Sequence, residues 1–186
     1  MIAICVGHSR KINGRYDGGA YSAPLDINER DFNLKVATSL SKKLASRNIR
    51  SKIIDHYNGN GYGSAMADVA RQVKEAGASL AIELHFNSAT PQANGHEWLY
   101  WHSSEIGKKI AHKFNLEFSK AFPGIKARGP KAITKRDRGG KFLELTHCPA
   151  IILEPFFGSS VEDCSKISVE GLTGAFSRVL EVFVSQ

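Results

Sequence analysis

Ser79-Leu80-Ala81-Ile82-Glu83-Leu84-His85-Phe86-Asn87-Ser88-Ala89 is the stretch on which the fold turns. Residues 79–84 are too continuously apolar for a strand with one wet face, so they predict a strand covered on both sides, as in a parallel sheet between helices. That strand ends on a histidine. Working outward, residues 2–6 (Ile-Ala-Ile-Cys-Val), 51–55 and 150–153 read as further strands, and 96–101 as one with Trp98 on one face. Helical spacing alternates with them. Phe32, Val36, Leu40 and Leu44 recur every four residues in a helix that starts at Asn28, with Asn28 as cap and Asp31 three residues on. Residues 65–75 predict a second helix stopped at Gly77. Ser104 to Phe122 predicts a third, with Ile106, Ile110, Phe114 and Phe118 on one side and Pro123-Gly124 after it. Leu172, Phe176, Val179, Leu180 and Phe183 form the stripe of the last helix. Alternation of this kind predicts an α/β fold: one domain over residues 1–186, with a mixed, mostly parallel central sheet flanked by helices.

Composition narrows the class. The chain has 186 residues, 42% hydrophobic and 23% charged, which suits one globular domain with a proper core. No apolar run approaches the ~18 residues of a membrane span. Met1 leads straight into the first strand, with neither a charged leader region nor a long apolar stretch, so no signal peptide is read. Cys5, Cys148 and Cys164 form no metal-type spacing and predict inert thiols. Residues 126–141 carry seven basic side chains against one aspartate, which accounts for most of the net charge of +7. They read as a basic loop able to attract an anionic polymer or substrate. Lys135, Arg136 and Arg138 are its candidate binding residues.

In α/β sheets, sites form at the carboxyl ends of strands. His8 follows the first strand, His85 the third, and Glu154 ends the late strand in Ile-Ile-Leu-Glu-Pro. Glu29 lies in the first turn of the first long helix, on the same expected rim, where the helix dipole favours a carboxylate. Two imidazoles and a carboxylate make a zinc site with one position open, and a nearby glutamate can move the proton. By spacing alone each residue has a plainer explanation: a strand-end histidine or a capping acid. Glu154 is harder to dismiss, because an unpaired carboxylate is costly in a buried strand. Glu83 alternates with His85 on one strand face and is a candidate partner for an imidazole, or half of a buried salt bridge.

The motifs resemble the zinc-dependent N-acetylmuramoyl-L-alanine amidases of the amidase_3 type, in the right order over nearly the whole chain. Val6-Gly7-His8 with Asp17-Gly18-Gly19-Ala20 resembles the family's opening Asp-Pro-Gly-His-Gly…Gly-Ala. Asn28-Glu29-Arg30-Asp31-Phe32-Asn33-Leu34 resembles its Glu-Lys-x-x-Asn-Leu, and His85-Phe86-Asn87-Ser88-Ala89 its His-x-Asn-Ala. Pro149 to Ser160 resembles the closing Pro-Ala-x-Leu-x-Glu-x-Gly-Phe-x-Ser-Asn. Val6 and Ser9 stand where the family has Pro and Gly, and the loop after His8 is longer.

The resemblance implies one Zn2+ held by His8, Glu29 and His85, with Glu154 as catalytic base. It implies cleavage of the amide between N-acetylmuramic acid and L-alanine of the stem peptide. Inactive members carry a helical insertion before the catalytic glutamate. The stretch between His85 and Glu154 has no obvious room for one, so constitutive activity is expected. Peptidoglycan is the expected partner, with no nucleic acid, no stable membrane association and a monomeric state. A small basic chain of this kind resembles a phage-type endolysin, made in the cytoplasm and acting on the wall. An exported amidase with its leader trimmed would read identically. Two other readings stay open. One is a non-catalytic wall- or nucleic-acid-binding module, which would have no use for Glu154. The other is a zinc peptidase cutting within the stem peptide, which only its products distinguish. Asn87 is a candidate substrate contact. His147, close to Glu154 in sequence, reads as a structural residue, with lining the cleft or helping a proton move as the alternative. Trp98, Trp101, Phe86 and Phe157 are candidates for the core or for sugar stacking.

Overall fold

The computed structural model describes residues 1–184. In chain order the elements are β1 (Ile2–Val6), β2 (Lys11–Ile12), β3 (Arg15–Tyr16), β4 (Tyr21–Ser22), β5 (Ile27–Asn28), α1 (Glu29–Ala45), β6 (Ser51–Ile54) and α2 (Tyr62–Glu75). They continue with β7 (Leu80–Leu84), β8 (His96–Trp101), α3 (Glu105–Ala121), β9 (Ala127–Ile133), α4 (Gly140–Leu145), β10 (Ala150–Glu154), α5 (Val161–Cys164) and α6 (Val169–Val184). Six strands form one sheet in the order β6-β1-β7-β10-β8-β9. β6, β1, β7 and β10 are parallel; β8 runs against β10, and β9 runs with β8. The mixed, mostly parallel sheet read from the sequence is therefore present.

Strands β1 and β7 are buried along their whole length, and β10 is buried up to Glu154. Helices cover both of their faces, which is why these strands read as unbroken apolar runs. One face packs Ile4, Leu84, Trp98 and Leu153 against α1, α3 and α6 through Leu40, Phe114, Phe118 and Phe176. The other packs Ala3, Cys5, Ala81 and Ile152 against α2 and α4 through Met66, Val69 and Phe142. From β1 the chain passes through α1 to β6 on one side of β1, then through α2 to β7 on the other. The crevice between the carboxyl ends of β1 and β7 is thus a switch point, where α/β sheets hold ligands.

Three local expectations change. Asn28 is the α1 cap residue but makes no side-chain cap bond. Instead the Glu29 and Arg30 amides donate to the carbonyls of Ala20 and Gly18, so loop backbone does the capping. Ile106 lies 54% exposed in the first turn of α3, whereas Ile110, Phe114 and Phe118 are buried. The basic loop 126–141 is not all loop. Its first half is the edge strand β9, and only 134–139 is a turn leading into α4. An interior Gly129-Pro130 and its charges hide the strand from periodicity. Those same features suit a sheet edge, where proline and lysine discourage further pairing.

Between His8 and Glu29 the chain makes two small hairpins, β2–β3 and β4–β5. The first turns on Asn13-Gly14, both with positive φ (50° and 79°), as a tight two-residue hairpin requires.

Candidate metal centre and active site

The site is assembled where β1, β7 and β10 end. After Val6, Gly7 leaves no room for a side chain: a Cβ there would run into the His85 ring. His8 follows with φ 59°, the left-handed region that a histidine rarely occupies and that tends to mark functional positions. The Ser9 amide is then anchored to the Tyr57 hydroxyl at 3.0 Å. The backbone of Gly18-Gly19-Ala20 presses on the opposite side. Gly19 has φ 71°, and a Cβ there would sit 2.8 Å from Glu29 Oε2.

Glu29, 3% exposed, is the hub. Its Oε1 lies 2.9 Å from His85 Nδ1 and accepts the Phe86 amide at 3.1 Å. Its Oε2 accepts the Ala20 amide at 3.2 Å and lies 3.4 Å from His8 Nε2. Ligand atoms of His8, Glu29 and His85 all fall within 4.8 Å of one another. Burial alone would raise the Glu29 carboxyl. The hydrogen bond and charge of His85, the charge of His8 and the Ala20 amide hold it below the usual carboxylate value. Each imidazole also has a carboxylate on its far nitrogen. Asp17 faces His8 Nδ1 at 3.7 Å, and Glu83 faces His85 Nε2 at 3.4 Å. Two nitrogens and one oxygen, each imidazole backed by an acid, suit a zinc ion.

Glu154 completes the rim. Its Oε2 is buried without a hydrogen-bond partner. Burial pushes its carboxyl up to about 8; His85 opposes the rise, while Glu29, Glu97 and Glu83 add to it. Glu97 sits directly across from Glu154 on β8. Its Oε2 accepts Arg128 Nε and Lys131 Nζ, each at 2.6 Å. Burial would raise Glu97, but Lys131 and Arg128 bring it below the ordinary carboxylate value.

The four residues singled out in the sequence, His8, Glu29, His85 and Glu154, therefore share one rim. Lys135, Arg136 and Arg138 do not join them: all three are exposed in the turn after β9. Among the described residues, none of the three makes an ion pair or a side-chain hydrogen bond with the cluster. The cations of that basic segment that reach the rim are Arg128 and Lys131, which charge density alone could not single out. Asp17 was legible only as part of a motif. Asn87 stands at the rim, its backbone paired with Phe157 and its Nδ2 buried without a partner. His147 is not beside Glu154. It lines a separate cleft with Trp101, Ile106 and Cys148, next to Ala150 at the amino end of β10. Trp98, Phe86 and Phe157 are core residues, at most 5% exposed.

Comparison with known proteins agrees with this geometry. The model of one family, N-acetylmuramoyl-L-alanine amidase (Amidase_3), matches residues 2–172. No curated protein matches the sequence. Among solved structures, the catalytic domain of the CD27L endolysin targeting Clostridia difficile superposes with a TM-score of 0.79 at 23% identity, covering 97% of this chain and 96% of that one. An N-acetylmuramoyl-L-alanine amidase from Clostridium difficile 630 gives 0.79 at 19% identity, with 100% and 96% covered. The amidase AmiC2 of Nostoc punctiforme gives 0.78 at 18%, with 100% and 98% covered. At these identities the superpositions establish a shared fold, while the family match spans nearly the whole chain. The chain belongs to the Amidase_3 family and is an N-acetylmuramoyl-L-alanine amidase acting on peptidoglycan.

Proposed function

We propose that the protein is a zinc amidase in which His8, Glu29 and His85 hold the metal and Glu154 handles the proton. The observation that carries this reading is a three-ligand cluster on the same rim as a carboxylate whose Oε2 is buried without a partner. When bound, zinc supplies a Lewis acid that polarises the scissile carbonyl and acidifies water. The protein's own part falls mostly to Glu154. Its carboxylate takes a proton from the attacking water and delivers it to the departing amine of L-alanine, so no covalent intermediate is needed. A carboxyl pushed up to about 8 is matched to that traffic near neutral pH. Asp17 and Glu83 hold the two imidazoles in the tautomers that leave His8 Nε2 and His85 Nδ1 free to ligate.

The segment between His85 and Glu154 is occupied by β8, α3, β9 and α4. This use of the chain supports an active site that needs no activation step. No described helix is long and apolar enough to cross a membrane. Degradation of the wall during lysis is the role that fits a small basic amidase of this kind. A secretion signal encoded ahead of Met1 would replace that role with export. Lys135, Arg136 and Arg138 are assigned to long-range attraction of the anionic wall.

The test is digestion of purified peptidoglycan by the zinc-loaded protein, beside Glu154→Ala and a chelated sample, read by mass spectrometry. Intact stem peptides with free L-alanine amino ends are expected, and both controls should lack them. Peptide fragments cut internally would make the enzyme a peptidase. No release from protein that still binds zinc would remove the catalytic reading.

A further inference from the structure

The proposed chemistry leaves Arg128 and Lys131 unused, yet the structure invests in placing them. A register shift lies between His96 and Glu97: His96 pairs with Ala127, but Glu97 pairs with Gly129. Arg128 is the extra residue, and Gly129 takes φ 83°. A bulge of this sort re-aims a side chain, and here it lays the Arg128 guanidinium onto Glu97, 5.1 Å over the Phe157 ring. Lys131 converges on the same Glu97 oxygen. Glu97 is buried at 8% exposure, whereas the Arg128 and Lys131 side chains are 35% and 40% exposed.

One buried anion thus fixes two cations whose side chains stay partly exposed. Among the described residues, no acceptor is bonded to the Arg128 Nη groups. Directly opposite residues of antiparallel strands share a face. Glu97 and Glu154 are such a pair, so the two cations, held on Glu97 from the next strand, lie across Glu97 from the catalytic carboxyl. The Asn87 side chain also bears on Glu97 and helps to hold it ionised. A held guanidinium and an ammonium, next to a site that cuts a peptide amide, call for a planar anion with two oxygens.

We propose that Arg128 and Lys131, fixed by Glu97, form a subsite for a free carboxylate of the stem peptide on the amine side of the cleaved bond. The assignment rests on the amidase reading above. It makes the enzyme a selector of peptide chemistry: a free acid at that place is accepted and a carboxamide is disfavoured.

The test uses zinc-loaded protein and two muramoyl peptides that differ only in having that carboxyl free or amidated. kcat/KM for the acid should exceed that for the amide by about 10-fold or more, expressed chiefly in KM. The ratio should fall towards one in Glu97→Gln/Arg128→Gln, a pair that removes the buried charge together with its partner. Lys131→Met, which leaves the Arg128–Glu97 pair in place, should lower the ratio partway, and melting curves verify folding of both. A wild-type ratio near one, or an undiminished ratio in both variants, overturns the subsite. So does loss of binding to an anionic wall polymer with discrimination unchanged, since the cations then serve the polymer. The sugar-free peptides, acid and amide, are also titrated calorimetrically. Tighter binding of the acid, lost in the double variant, supports the subsite even where nothing is hydrolysed; in that case only the amidase chemistry fails. Equal affinity for the two peptides overturns it.

Discussion

The two faces of the central sheet are made by alternate residues of the same strands, and they differ most at the carboxyl rim of β7 and β10. On the α1/α3/α6 side the positions nearest the rim stay apolar: Leu84, Trp98 and Leu153. On the α2/α4 side the alternating positions change from Ala81 and Ile152 to Glu83, Glu97 and Glu154 on adjacent strands. One face thus holds the sheet together, while the other gathers charge that a folded core would otherwise exclude. The difference teaches that stability and chemistry are separated here by a period of two residues, not by distance along the chain.

That separation can be broken on its apolar side first. Trp98 is fully buried among Phe114, Phe118 and Phe176, and its Nε1 donates to His96 at 3.1 Å. Trp98→Ala should cost about 3–5 kcal/mol in denaturant unfolding, with His8, Glu29 and His85 untouched. A loss below ~1 kcal/mol would mean that this face carries less of the stability than its packing implies.

On the polar side the sign reverses. Glu154 has its carboxyl at about 8 when folded, against an ordinary 4.5. Between those values the unfolded chain is ionised while the folded one keeps its proton, so stability falls as pH rises through the window. In chelated protein, Glu154→Gln should therefore stabilise by about 1–3 kcal/mol above pH 8. The gain should shrink as pH drops and vanish near 4.5. Melts across pH that show no gain, or a gain at low pH, would place Glu154 on the structural side of the comparison.

Glu83 sharpens the same contrast. Glu83→Leu should weaken zinc binding about 10–100-fold in competition with a chromophoric chelator. Glu83→Gln should weaken it less, because an amide oxygen still accepts from His85 Nε2. Equal affinity in all three proteins would make Glu83 a bystander. The smallest effect is expected at the exposed turn. Charge reversal at Lys135, Arg136 and Arg138 should flatten the salt dependence of wall binding and change stability by no more than about 0.5 kcal/mol. Unaltered binding at low salt would remove the turn from substrate attraction.

The strands that carry the site were legible because full burial leaves an unbroken apolar signature. Each such strand ended visibly on a His or a Glu. Glu29 was legible as an acid at a helix start, though its placement depends on backbone from residues 18 and 20, which no spacing rule reports. β9 was not legible, since an edge strand with Gly129-Pro130 and lysines lacks alternation. For the same reason the basic segment did not single out the two cations that meet Glu97. Charge counted along a chain cannot tell Arg128, turned inward by a bulge, from Arg136 in an open turn. His147, near Glu154 in sequence, is far from it along the strand. It lies beyond the amino end of β10, whose five residues carry the chain across the sheet to Glu154.

The β2–β3 hairpin has a practical consequence. All four of its strand residues are exposed, and its Asn13-Gly14 tip faces nothing that a Cβ at Gly14 would meet. Gly19, a few residues later, is wedged against His8 and Glu29. The segment between His8 and Glu29, two proposed metal ligands, therefore contains both a rigid clamp and a free end. Extra sequence spliced at the tip, such as a targeting peptide for a chosen cell wall, would be carried without passing through the clamp.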